Sequence, residues 1–115
     1  MTADPVAVVA EMVAAYNARD LDRFLECYSP DAVIEDGRGR VLRQGRDAMR
    51  SFYGQLFAQS PQLHCAVRHR IHVGSYVIDE EAISGIRLDG FPTELHAAAV
   101  YLLEGGLIVH ARMLA

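Results

Sequence analysis

Cys27-Tyr28-Ser29-Pro30-Asp31-Ala32-Val33-Ile34-Glu35-Asp36-Gly37 marks the point where the chain changes from one kind of structure to another. An apolar helix end meets a Ser-Pro-Asp break. A short β-branched run follows and stops at two adjacent carboxylates and a glycine. Proline lacks the amide that a continuing helix needs, so Pro30 forbids continuation of what precedes it. Side chains alternate across a strand, so Glu35 and Asp36 point to opposite faces. Two readings stay open. In one, both acids end an exposed strand, since acidic residues are mostly exposed. Alternatively one faces an apolar cavity, where loss of hydration lifts a carboxyl pKa toward the range useful for proton transfer.

Upstream of the break the period is helical. Val6, Val9, Ala10, Val13 and Ala14 recur at helical spacing, with Met12 and Tyr16 beside them. Asp4-Pro5 has the form of an N-cap followed by proline at the first helical position. This helix is expected to end near Asn17-Ala18-Arg19. Asp20 then caps a second short helix with Leu21, Phe24 and Leu25 on its apolar face, closed by Tyr28. After the strand Val33-Ile34-Glu35, Gly37-Arg38-Gly39-Arg40 is a turn and Val41-Leu42 pairs back. Gly45-Arg46-Asp47 opens a third helix whose stripe is Met49, Phe52, Tyr53, Leu56 and Phe57, and Ser60-Pro61 ends it.

Downstream the period is two. Leu63, Cys65, Val67, His69, Ile71 and Val73 alternate with His64, Ala66, Arg68, Arg70 and His72. A second strand is expected from Tyr76 to Leu88, with Asp89-Gly90 as a hairpin turn. A third runs from Thr93 to Leu103, Glu104-Gly105-Gly106 turns the chain, and a fourth runs from Leu107 to Leu114. Helices first and an antiparallel meander after them make an α+β pattern, with the helices on one face of a curved sheet. The 115 residues fit a single domain, 1–115, with one core.

Composition narrows the function classes. A formal net charge of -4 and dispersed arginines argue against nucleic acid as the main partner. No apolar run approaches the roughly 20 residues that span a bilayer, so no membrane partner is expected. No basic and apolar leader opens the sequence, and with two cysteines read as buried thiols the expectation is a reduced, cytoplasmic protein. The histidines do not form a metal motif. His69 and His72 fall on opposite strand faces, and His64 and His72 share a face but lie too far apart to chelate one ion. His64, Arg68, Arg70 and His72 are expected on a polar outer face, and His96 and His110 to approach each other across the meander. No metal and no cofactor is expected, because phosphate cradle, dinucleotide fingerprint and nucleophile elbow are all missing.

The order of elements resembles the nuclear-transport-factor-2-like superfamily, which includes ketosteroid isomerases and SnoaL-like polyketide cyclases. The resemblance rests on Asp20-Leu21-Asp22, Tyr28-Ser29-Pro30-Asp31-Ala32, Val33-Ile34-Glu35-Asp36, Gly45-Arg46-Asp47, Phe52-Tyr53 and the final Gly-Gly-Leu-Ile strand. It covers nearly the whole chain and is specific for fold rather than for reaction. It implies a cone: three N-terminal helices packed in a strongly bent, mostly antiparallel sheet, with a pocket open at one end. By position, the resemblance places Asp36 on the isomerases' general base and Tyr28 and Tyr53 on tyrosines of their hydrogen-bond network. It also shows two departures. Met12 stands where the isomerases have an oxyanion-donating tyrosine, and Ala99 where they have a protonated acid. Tyr16, one helical turn after Met12, is either a displaced donor or part of the core.

Ala97, Ala99, Ala111 and Met113, with Leu95, Tyr101 and Val109, fall on the faces expected to line the cavity beside Met12. Their small side chains either leave room for an apolar ligand or are covered by large residues from the helices. Two functions follow from the resemblance. One is an enzyme in which Asp36, helped by Tyr28, Tyr53 and Tyr16, removes a proton alpha to a carbonyl in an isomerisation, cyclisation or elimination of a small apolar cyclic compound. The other is a non-catalytic ligand-binding or accessory protein of the same fold. Apolar residues on both faces of the C-terminal strands, including Val100, Leu102 and Ile108, predict a homodimer through the sheet.

Overall fold

The computed structural model describes residues 4–115; the first three residues of the expected domain lie outside it. Helices α1 (Pro5–Ala18) and α2 (Leu21–Leu25) come first, and α3 (Arg46–Gln59) follows the first two strands. Six strands make one mixed sheet: β1 (Tyr28–Asp36), β2 (Val41–Gln44), β3 (His64–Val73), β4 (Tyr76–Ser84), β5 (Leu95–Glu104) and β6 (Leu107–Leu114). Their spatial order is β2-β1-β6-β5-β4-β3. The last four strands pair antiparallel, and β1 joins them by a parallel pairing with β6.

Local chemistry accounts for the helix ends. The Asp4 carboxylate accepts from the Val6 amide at 3.0 Å, and Pro5 occupies the first turn. Asp20 does the same for α2, accepting from Arg23 at 3.2 Å. Phe24 sits at the centre of the core. Its ring centroid is 4.6 Å from Tyr53, 5.2 Å from Tyr28, 5.6 Å from Phe57 and 6.0 Å from Tyr16, so one residue of α2 ties together α1, α3 and β1. Asn17 fixes α1 to β3: its side-chain amide donates to the Cys65 carbonyl at 3.0 Å and its oxygen accepts from the Cys65 amide at 2.7 Å.

Several expected boundaries move. The second helix stops at Leu25, and β1 already includes Tyr28 and Pro30; the proline lies where the β1–β6 register shifts, the kind of irregularity that tolerates a missing amide. Strand β4 ends at Ser84 rather than Leu88, because Gly85 turns the chain at φ +75° against Gln62. The segment from Gly85 to Glu94 is a loop, closed by an Ile86 amide to Thr93 carbonyl bond of 3.1 Å.

The strict alternation expected for β3 also breaks. The pairing register with β4 shifts between Val67 and His69. A bulge reverses the face of every later side chain. Arg70 therefore turns inward to Asp79 instead of lying on the outer face, while His69 meets Glu80 at 2.7 Å outside. His96 bonds the other Glu80 oxygen at 2.7 Å, and His110 lies 2.8 Å from Glu35, so these two histidines do not approach each other. No helix among the described residues is long and apolar enough to cross a membrane.

Candidate active site

The helices and the inner sheet face enclose a cavity of about 630 Å³. Its wall is mostly apolar: Met12 and Val13 from α1, Ile34 from β1, Phe52 and Leu56 from α3, Ile83 from β4, and Phe91 from the loop before β5. Tyr16, Tyr28, Tyr53 and Tyr101 also line it, as do Ala111 and Met113. Ala97 and Ala99, expected in the wall, do not line it. They are buried beside Glu81 and Asp79, their register partners, and leave space for those two acids rather than for a ligand.

Asp36 is among the residues that line the cavity. Its side chain is 28% exposed and closes the β1–β2 turn. One carboxylate oxygen accepts the Arg38 and Arg40 amides, both at 2.9 Å, and the other lies 3.5 Å from the Arg40 guanidinium. These amide bonds, with the Arg40 charge, hold the carboxyl below its ordinary pKa. The expectation that burial raises the Asp36 pKa is thus corrected: the turn amides and Arg40 outweigh burial and lower it. Glu35 points to the opposite face, where Arg112 donates to it at 2.9 Å and lowers its pKa together with His110.

The carboxyl that burial does perturb is Glu81, which composition and spacing did not single out. It is 2% exposed, lies on β4 in the cavity wall, and accepts the Tyr101 hydroxyl at 3.1 Å. Loss of hydration pushes its pKa up to about 7; nearby Asp79 adds to the rise, while the Tyr101 hydrogen bond and the Arg70 charge oppose it. Asp79, fully buried one strand repeat away, is neutralised by Arg70 through two bonds of 2.7 and 2.9 Å. Strand parity held the signal for Glu81. Val77 and Ile83 face the core, so Asp79 and Glu81 between them must do so too.

Around Glu81 the phenols are neutral: burial raises the Tyr16, Tyr28 and Tyr101 pKa values above the ordinary one. Cys65, also in the wall, has its thiol pKa raised by burial, which argues against a thiolate nucleophile. Among the described residues no three His, Cys, Asp or Glu side chains come together as a metal-holding group. The arrangement supplies a proton-exchanging carboxyl, neutral hydroxyl donors and an apolar enclosure.

Residues 9–111 match the family model of the SnoaL-like domain. The chain is 31% identical to a cystatin-fold protein from Novosphingobium aromaticivorans, over 100% of this chain and 99% of that one, with a TM-score of 0.88. It is also similar to a candidate polyketide cyclase from Sinorhizobium meliloti, at 19% identity over 96% and 99% of the two chains and a TM-score of 0.76. A computationally designed 17-OHP binder matches at 17% identity over 96% and 91%, with a TM-score of 0.79. The last two likenesses are of fold.

Proposed function

Because this chain belongs to the SnoaL-like domain family, a family of the nuclear-transport-factor-2-like fold, we propose that its cavity binds a small apolar cyclic carbonyl compound and catalyses proton transfer on it. The observation that carries this reading is Glu81: a buried carboxyl in an apolar cavity wall with a pKa of about 7. Near neutral pH such a group is populated in both protonation states, which is what an acid or base in isomerisation, cyclisation or elimination needs. Glu81 takes the proton alpha to the carbonyl, and the cavity tyrosines donate to the oxygen as it gains charge. Asp36, held by its turn with a lowered pKa, is not the base in this reading.

The experiment is deuterium uptake from D2O into the alpha position of 2-tetralone, followed by mass spectrometry. Wild type should accelerate uptake, and Glu81→Gln should lose that acceleration by roughly 10²–10⁴-fold while Asp36→Asn keeps most of it. Loss in Asp36→Asn with retention in Glu81→Gln would return the base to Asp36. Binding without acceleration would favour the second reading, a ligand-binding or accessory protein. The replacement of both isomerase donor positions by Met12 and Ala99 is what speaks for that reading. In either case the outer sheet face pairs two copies of the chain as a homodimer.

A further inference from the structure

Among the described residues the Arg43 Nε is the buried side-chain polar atom with no hydrogen-bond partner. Buried polar groups are nearly always paired, and an orphan needs a reason. Arg43 lies on β2 opposite Ile34 of β1, a fully inward residue, and lines the cavity. Its guanidinium carbon stands 3.9 Å from the Phe52 ring centroid and 5.2 Å from that of Tyr53. The cation is held over the aromatic faces, and its Nε–H is left without a protein acceptor. Other arginines are committed: Arg70 to Asp79, Arg23 to Glu11, Arg50 to Asp22 and Arg112 to Glu35.

A planar, pre-oriented guanidinium is suited to the two oxygens of a carboxylate or to a phenolate or enolate oxygen. The surrounding wall is mostly apolar, and Phe91 packs against Phe52 with ring centroids 5.6 Å apart, which suits an apolar ring system for the rest of the ligand. We propose that Arg43 is the anchor for an anionic oxygen of the ligand, and that the cavity selects apolar ring compounds carrying a carboxylate, phenolate or stabilised enolate over their neutral counterparts. This rests on the reading of the cavity as the ligand site. Tyr16 and Tyr28 line the same cavity as Arg43.

The test is calorimetric titration with 1-naphthoate and its neutral partner 1-naphthamide at about pH 6, where the probe is ionised and Glu81 is mostly protonated. Wild type should bind the naphthoate about tenfold more tightly. Arg43→Met should abolish that preference while still binding the naphthamide, which shows that the cavity has kept its shape. Arg50→Gln, on α3 outside the cavity, should leave the preference intact. Equal binding of the two compounds by wild type, or a preference that survives in Arg43→Met, would overturn the Arg43 assignment and leave the cavity reading standing. Failure of wild type to bind either compound would overturn both.

Discussion

At the scale of single residues the chemistry turns on which carboxyl loses water. Asp36 and Glu81 both touch the cavity, but Asp36 has two backbone amides and a guanidinium for partners, whereas Glu81 has a phenol and a thiol. The difference has a thermodynamic signature. The folded-state pKa of Glu81 is raised from 4.5 to about 7. The folded protein therefore holds a proton that the unfolded chain releases, and stability falls as pH rises from about 4.5 to about 7, by at most about 3 kcal/mol. Urea midpoints should be lower at pH 8 than at pH 5 in wild type, and Glu81→Gln should remove most of that gap. Glu35, Asp36 and Glu80 carry the opposite sign, since their pKa values are lowered. Their contribution is present above the ordinary carboxylate pKa and is lost as pH falls through the lowered values, so it belongs to a more acidic window.

Of the two residues that define the cavity's polarity, Glu81 was legible in the sequence only as to the face it shares with Val77 and Ile83, and Arg43 not at all. On β4 each face carries both apolar residues and an acid: Val77, Asp79, Glu81 and Ile83 inside, and Ile78, Glu80 and Ala82 outside. Alternation alone does not say which acid is dry. Arg43, in a four-residue strand beside a turn, has the sequence surroundings of an exposed arginine. Asp36 drew attention because its position matched that of a known base, although the Arg38 and Arg40 amides that satisfy it come from the turn geometry.

At the scale of elements, helix caps and periodicities were legible to within a few residues, and the misses were backbone irregularities. The bulge near Arg68 sends Arg70 to Asp79, and no periodicity announces an inserted residue. That inward pair is a testable consequence. Arg70→Ala leaves the fully buried Asp79 carboxylate without its counter-charge and should cost about 3 kcal/mol in chemical denaturation. A second irregularity is Gly85, where φ is +75° and an added Cβ would lie 2.1 Å from the Gln62 carbonyl oxygen. Gly85→Ala must move the backbone that joins β4 to the Phe91 loop. It should destabilise the fold by about 3 kcal/mol in the same assay.

For the whole molecule, the sheet's outer face is the surface that the helices do not cover. Ile71 and Val73 on β3 and Tyr76 on β4 are exposed there, with Ile78, Val100 and Leu102 half-buried beside them through the β3–β4–β5 pairing. Contiguous exposed apolar surface on a small protein marks an interface. Light scattering at micromolar concentration should give twice the 12.7 kDa chain mass, and Val73→Glu should shift the protein toward the monomer. A monomeric mass for wild type would remove the dimer from this account without touching the cavity.

The claim on which the functional reading stands is that Glu81 is a dry, ligand-facing carboxyl near neutrality. Carbon-13 NMR titration of the Glu81 side chain, assigned by comparison with Glu81→Gln, tests it directly. The expected midpoint is close to pH 7 and rises when 2-tetralone fills the cavity and expels its water. A midpoint near the ordinary 4.5, unmoved by the ketone, would contradict it.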